Sequence, residues 1–137
     1  MQLNMTTDYA IRSILYIAES ERTVTVEDVG GAMGIPLSYV RKMFYRLTKA
    51  GLIEAQRGRK GGYLMARPAR EISLWDIANS TEQTMQINLC LEDQGKCSRR
   101  GNGRCVVRQF YTGLQGLLEE EMKRTTIQSL IDMEKES

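Results

Sequence analysis

The chain has 137 residues, 42% hydrophobic and 26% charged, which describes one ordinary globular unit with an appendage. No apolar run approaches the roughly 18 residues of a membrane span, and the opening MQLNMTTDYA lacks the pattern of a secretory leader, so a cytoplasmic address is expected. Net charge is only +2, but it is unevenly spread: residues 1–70 hold 11 Lys/Arg against 6 Asp/Glu, and residues 71–137 hold 8 against 11. An N-terminal excess of cations favours a polyanionic partner there, through phosphate neutralisation and counterion release.

A first helix is expected over about Thr6 to Glu19, with Ile11, Ile14, Leu15 and Ala18 as its apolar stripe. Asp8 falls in its first turn, where a carboxylate complements the helix dipole. After the polar connector Glu21-Arg22-Thr23, a capping box at Thr25-Val-Glu-Asp28 opens a second helix with Val26, Val29 and Met33 facing inward. Gly34-Ile35-Pro36 ends it, and a third helix runs from about Leu37 to Ala50, burying Val40, Phe44 and Leu47. Two short helices around so tight a turn form a helix-turn-helix unit. Leu52–Ala55 and Tyr63–Met65 are strand candidates, and the Gly-rich basic loop Gln56–Gly62 between them makes a β-hairpin, hence a wing.

Ser73-Leu-Trp-Asp76 opens another short helix. Residues 88–104 break all periodicity, and a loop of that length is too long for simple connection. A long helix over about 104–124 then carries Val107, Phe110, Leu114 and Leu117 in a narrow seam that suits a partner helix, and 125–133 adds a short final helix. The fold class expected is mainly α with a small β-hairpin wing: a winged helix-turn-helix followed by a long helix.

The third helix turns Ser38, Tyr39, Arg41, Lys42, Tyr45, Arg46 and Lys49 away from its apolar stripe. Inserted in a major groove, Arg and Lys donate to guanine, and hydroxyls bond phosphates or bases. Arg57, Arg59 and Lys60 on the wing suit phosphates or a narrow minor groove. Ser38, Tyr39, Arg41, Lys42, Arg46, Arg57, Arg59 and Lys60 are therefore the candidate contacts to double-stranded DNA. With no His, no nucleophile–base pair and no phosphate-cradling loop, an enzyme is not expected.

The chemistry of the loop is different. Cys90, Cys97 and Cys105 are separated by six and seven residues, which excludes zinc knuckles, and zinc would want a fourth S or N ligand from a chain without His. Soft thiolates in a Gly-containing loop suit an iron–sulfur cluster, and Lys96, Arg99, Arg100 and Arg104 would lower thiol pKa and offset cluster charge. Three unrelated cysteines in an ordinary loop remain the alternative.

As an ordered ensemble these segments resemble the Rrf2-type bacterial transcription regulators, a family that includes IscR and NsrR. The carriers are Thr7-Asp8-Tyr9-Ala10, Ile35-Pro-Leu-Ser-Tyr-Val40, Arg57-Gly-Arg-Lys-Gly-Gly-Tyr63, Leu74-Trp-Asp-Ile77 and the three-cysteine loop before a long helix, so the resemblance spans essentially the whole chain. It implies a homodimer crossed through the long helix, two winged domains reading a pseudo-palindromic operator, and an iron–sulfur cluster whose state controls DNA affinity. Cys90, Cys97 and Cys105 match the family's ligand cysteines by position in the loop. Asp8 matches the carboxylate that supplies a fourth ligand from the other subunit in the nitric-oxide-sensing branch, with a 4Fe–4S cluster favoured and 2Fe–2S the alternative.

The chain departs from the family at three places. Arg108 stands where the cluster-biogenesis branch has a His, so that ligand set is not reproduced. The cysteine spacings are wider than the family's usual five and five. Arg41 replaces an acidic residue of the biogenesis branch, so operator sequence does not transfer. The implied organisation is a DNA-binding domain over 1–80, a cluster loop over 81–104, and a dimerisation helix with its tail over 105–137. The implied function is a repressor sensing nitric oxide, redox state or cluster supply. Two alternatives stand beside it. One is a cluster-free regulator in which Cys97 and Cys105 form a reversible disulfide or sulfenate; the other is a protein-interaction module built on the long helix.

Overall fold

The computed structural model describes residues 2–93 and 105–137. Its first helix, α1 (Met5–Glu19), starts where the Asn4 side chain accepts a hydrogen bond from the Thr7 backbone N–H at 2.8 Å. The inward stripe is Ala10, Ile14 and Ile17, while Ile11, Leu15 and Ala18 are only partly buried around the core. The buried face is thus rotated from the expected one. Three later helices and one strand pack against it.

Helix α2 (Val26–Met33) begins at the expected capping box. Thr25 Oγ1 accepts from the Asp28 N–H at 3.0 Å, and the Asp28 carboxylate accepts from the Thr25 N–H at 2.9 Å. The hydrogen bond from the Thr25 backbone, aided by Arg22, holds the Asp28 carboxyl below its ordinary value. Gly34 closes α2 in the left-handed region at φ 66°, which a residue without Cβ adopts freely. Helix α3 (Leu37–Lys49) follows at once, and it lies so close to α2 that a Cβ on Gly30 would sit 2.7 Å from Leu37 Cδ2. That approach sets the tight helix-turn-helix corner.

Strands β1 (Ile53–Gln56) and β2 (Gly62–Met65) pair antiparallel, with Ile53 opposite Met65 and Gln56 opposite Gly62. The far edge of β2 is also paired. Val24 N–H donates to Tyr63 O at 3.0 Å and Tyr63 N–H to Val24 O at 2.8 Å, so the expected polar connector leads into a bridge. The Tyr63 ring meets Phe44 edge-on, with centroids 4.7 Å apart, and this pins the wing to α3.

A 3₁₀ turn (Ala69–Glu71) leads to α4 (Leu74–Thr81), opened by a second capping box between Ser73 and Asp76. A single helical turn, α5 (Leu89–Glu92), lies inside the segment expected to be wholly irregular. Then come α6 (Val106–Arg124) and α7 (Ile127–Glu136). On sequence grounds α7 is a tail grouped with α6. In the structure it returns to the N-terminal core, packing on α1 and on the 3₁₀ turn, and Ile127 and Ile131 join one buried cluster with Ile14, Ile72 and Ile77. Leu74 N–H to Thr125 O and Ile127 N–H to Ile72 O, both at 2.9 Å, fasten the α6–α7 corner to the start of α4. Each fully buried Ile, Leu or Phe here contributes roughly 1.5–3 kcal/mol. A smaller cluster of Ala78, Met85 and Met122 joins α4 to α6.

Candidate functional site

Burial of Val40, Met43, Phe44 and Leu47 fixes the rotation of α3, and the opposite face is therefore dictated. Ser38, Arg41, Lys42, Tyr45, Arg46 and Lys49 are all exposed, and Arg41, Lys42, Tyr45, Arg46 and Lys49 line one open hollow. Lys49 Nζ stands 5.8 Å from the centre of the Tyr45 ring. Arg41 reaches Glu27 of α2 at 3.8 Å, an exposed contact worth little in water, and Arg46 Nη1 reaches Thr81 O at 3.5 Å.

Tyr39 is placed differently from its neighbours. Its hydroxyl is hydrogen-bonded to the Thr6 hydroxyl, and its half-buried ring meets Tyr9 edge-on at 5.8 Å. On the wing, Arg57, Arg59 and Lys60 are exposed. The tip is held by Gly61 N–H donating to Gly58 O at 2.9 Å and by Thr23 Oγ1 donating to Lys60 O at 2.8 Å. The wing thus presents its three cations from a shaped turn.

The thiol region lies against α6. Cys90 sits on α5, half-buried, and its Sγ accepts a hydrogen bond from Asn88 Nδ2 at 3.1 Å. Cys105 is the cap residue of α6, and α5 packs on α6. Cys97 and the cations Lys96, Arg99, Arg100 and Arg104 lie outside the described residues. Arg108 lies on the first turn of α6, half-buried, with its Nε enclosed and unbonded among the described residues. Asp8 is exposed on α1 and pairs with Arg12 one turn later at 3.1 Å. Among the described residues no three Cys, Asp or Glu side chains converge, so Asp8 does not meet Cys90 and Cys105 within one chain.

Two polar clusters escape sequence reasoning. Buried Gln115 of α6 donates to Met85 O at 2.9 Å and accepts from the Ile87 N–H at 2.8 Å, clasping the segment that leads into Cys90. Its only signal in the sequence is a polar residue on the side of α6 opposite the apolar seam. The other cluster joins the start of α1 to the end of α4. The Thr7 and Thr81 hydroxyls meet at 2.6 Å, Asn4 N–H donates to Glu82 at 2.6 Å, and Asn4 Nδ2 donates to Thr81 O at 3.1 Å. These pairings span more than seventy residues, so no local pattern announces them.

On α6, Val107, Phe110, Leu114 and Leu117 all remain exposed, Phe110 at 64% and Leu117 at 65%. The expected seam is thus uncovered within one chain. Among the described residues no helix is long and apolar enough to cross a membrane.

Comparison with known proteins matches this architecture throughout its length. The chain is 29% identical over 134 residues to the transcriptional regulator IscR of Pectobacterium atrosepticum, covering 96% of this chain and 80% of that one. Its fold superposes on CymR, the global cysteine regulator of B. subtilis, with a TM-score of 0.81 at 18% identity, covering 97% and 98% of the two chains. It superposes on T. potens IscR with a TM-score of 0.76 at 20% identity, over 96% and 87%. These relatives are regulators, not enzymes, and the fold is their winged helix-turn-helix. The family model described as "Iron-dependent Transcriptional regulator" matches residues 3–133, and the chain therefore belongs to the Rrf2 family of DNA-binding transcription regulators.

Proposed function

We propose that the protein is a homodimeric repressor that binds a pseudo-palindromic operator through α3 and the wing, under the control of an iron–sulfur cluster held at Cys90, Cys97 and Cys105. The observation that carries this reading is the make-up of α6. One helix bears Cys105 at its start and the uncovered Val107–Leu117 seam along its length, so thiol site and dimer face share one element. A second copy covering that seam buries it, as apolar surface requires.

The donor chemistry fits a cluster. Thiols are the soft ligands such a group takes, and the Asn88 amide donates to Cys90 Sγ, a contact of the kind that orients a ligand sulfur. When bound, the cluster would supply a link sensitive to nitric oxide, redox state or cluster and iron supply. Asp8, exposed near the start of α1, is proposed as a fourth ligand from the partner subunit, released from Arg12. The start of α1 then serves both purposes, because Thr6 and Thr7, beside Asp8, bond Tyr39 of α3 and Thr81 of α4. Ser38, Arg41, Lys42 and Arg46 enter the major groove, and Arg57, Arg59 and Lys60 hold phosphates.

Anaerobic purification tests the cluster. A brown protein with thiolate-to-iron absorption is expected, losing operator affinity when iron is removed; a colourless protein with full operator binding overturns cluster control. Asp8→Ala is expected to weaken cluster retention with an unchanged fold, and unchanged retention removes Asp8 from the ligand set. A second reading is a metal-free regulator in which Cys97 and Cys105 form a reversible disulfide or sulfenate. Iron and sulfide analysis separates the two.

A further inference from the structure

Helix α3 carries two tyrosines outside its apolar stripe, and their surroundings differ. Tyr39 is half-buried, its hydroxyl engaged by Thr6 and its ring set against Tyr9. A base edge would have to displace both contacts. Tyr45 is 66% exposed. It lies seven residues after Ser38 and four after Arg41, so helical spacing puts all three on one face. The other side chains lining its hollow, Arg41, Lys42, Arg46 and Lys49, are cations.

We propose that Tyr45, rather than Tyr39, is the aromatic side chain of α3 that reads sequence, packing its ring on a thymine C5-methyl in the major groove. The cations around it are suited to phosphates and to guanine, whose contacts are polar. Tyr45 alone in this hollow offers a flat apolar surface, and the thymine methyl is the one apolar mark on the major-groove edge. Lys49 over the outer ring still leaves the phenol free to pack on its other side. Tyr39 is instead a positioning residue, tying the first turn of α3 to the first turn of α1.

The inference rests on α3 being the DNA-reading element, and the test separates the two. Full-length wild type, Tyr45→Ala, Tyr45→Phe and Tyr39→Phe, prepared anaerobically, are each used to select binding sites from a random-sequence DNA duplex pool. Wild type is expected to enrich a two-fold-related motif. Tyr45→Ala is expected to lose a thymine preference at one position per half-site, with a roughly four- to tenfold loss of affinity for the wild-type motif.

Uracil in place of that thymine should weaken wild type to the same degree and leave Tyr45→Ala unaffected. Tyr45→Phe should behave as wild type. No charge is removed, so the salt slope of binding should not change. Tyr39→Phe should enrich the wild-type motif, whatever its affinity. Thermal unfolding of Tyr45→Ala should match wild type, since the side chain is exposed. An unchanged motif and affinity for Tyr45→Ala, or a shifted motif for Tyr39→Phe alone, overturns the proposal while leaving DNA reading by α3 intact. A wild type that enriches no motif overturns both.

Discussion

Helices α3 and α6 are both amphipathic, and they use their two faces in opposite ways. α3 buries Val40, Met43, Phe44 and Leu47 and turns a row of cations outward. α6 exposes Phe110, Leu114 and Leu117 and buries Gln115 and Met122. A helix whose outward face is cationic is finished as a folded element and waits for a polyanion. A helix whose outward face is apolar is unfinished in one chain, because that surface lowers its free energy only when another apolar surface covers it. The contrast assigns the two faces to different classes of partner.

The contrast depends first on the core beneath α3. Phe44 is fully buried and meets the Tyr63 ring, so Phe44→Ala is expected to cost about 3–5 kcal/mol and to loosen α3 and the wing together. Urea unfolding measures this, and a loss below about 1 kcal/mol would show that the wing is anchored elsewhere. On the other helix, Phe110→Asp with Leu117→Asp is expected to give a monomer, since a buried aromatic anchor at an interface contributes about 2 kcal/mol or more. Sedimentation equilibrium checks it, and an unchanged association state would detach α6 from dimerisation.

On the cationic side, Arg57→Ala, Arg59→Ala and Lys60→Ala combined are expected to lower the slope of log affinity against log salt by about 2 to 3. A DNA-binding salt series measures that slope, and an unchanged one would take the wing off the phosphates. The smallest effect belongs to the corner that aims α3. Thr25→Ala is expected to cost about 1 kcal/mol in urea unfolding through loss of the α2 cap.

The same corner has a pH signature. Asp28 has a depressed carboxyl in the folded state, so its stabilisation is fully present above the ordinary value of 3.8 and is lost as pH falls through the still lower folded value. Asp28→Asn should remove that part of the acid dependence in urea unfolding followed below about pH 5. An identical acid limb in the variant would assign it to another carboxylate.

How much of this is legible in the sequence depends on the range of the interaction concerned. The start of α2 at Thr25 is readable because a capping box joins residues three apart. Its end at Gly34 and the wing between Gln56 and Gly62 are equally local, since turns are selected by the residues inside them. The cationic row on α3 and the apolar stripe on α6 follow from 3.6-residue periodicity, whereas the exposure of that stripe is decided by which face of α6 the rest of the chain covers. The candidate DNA contacts were legible as a cationic face for that reason, but the differing surroundings of Tyr39 and Tyr45 were not. Helical spacing places both outside the apolar stripe, whereas Thr6 and Tyr9, which engage Tyr39, come from another helix.

What the sequence by itself determined is the order of the main elements, most of their boundaries to within a residue or two, and the cationic outward face of α3, all products of short-range chemistry; the turn of α5, the end of α7 and the rotation of α1 lay beyond it. Tertiary structure alone decided the rest. It returned α7 to the N-terminal core, paired Val24 with the wing, set Gln115 against the segment before Cys90, and bonded the first turn of α1 to α3 and α4. Each of these contacts spans tens of residues. Each forms because a buried polar group must find a partner, or an apolar one a cover, wherever in the chain that neighbour lies.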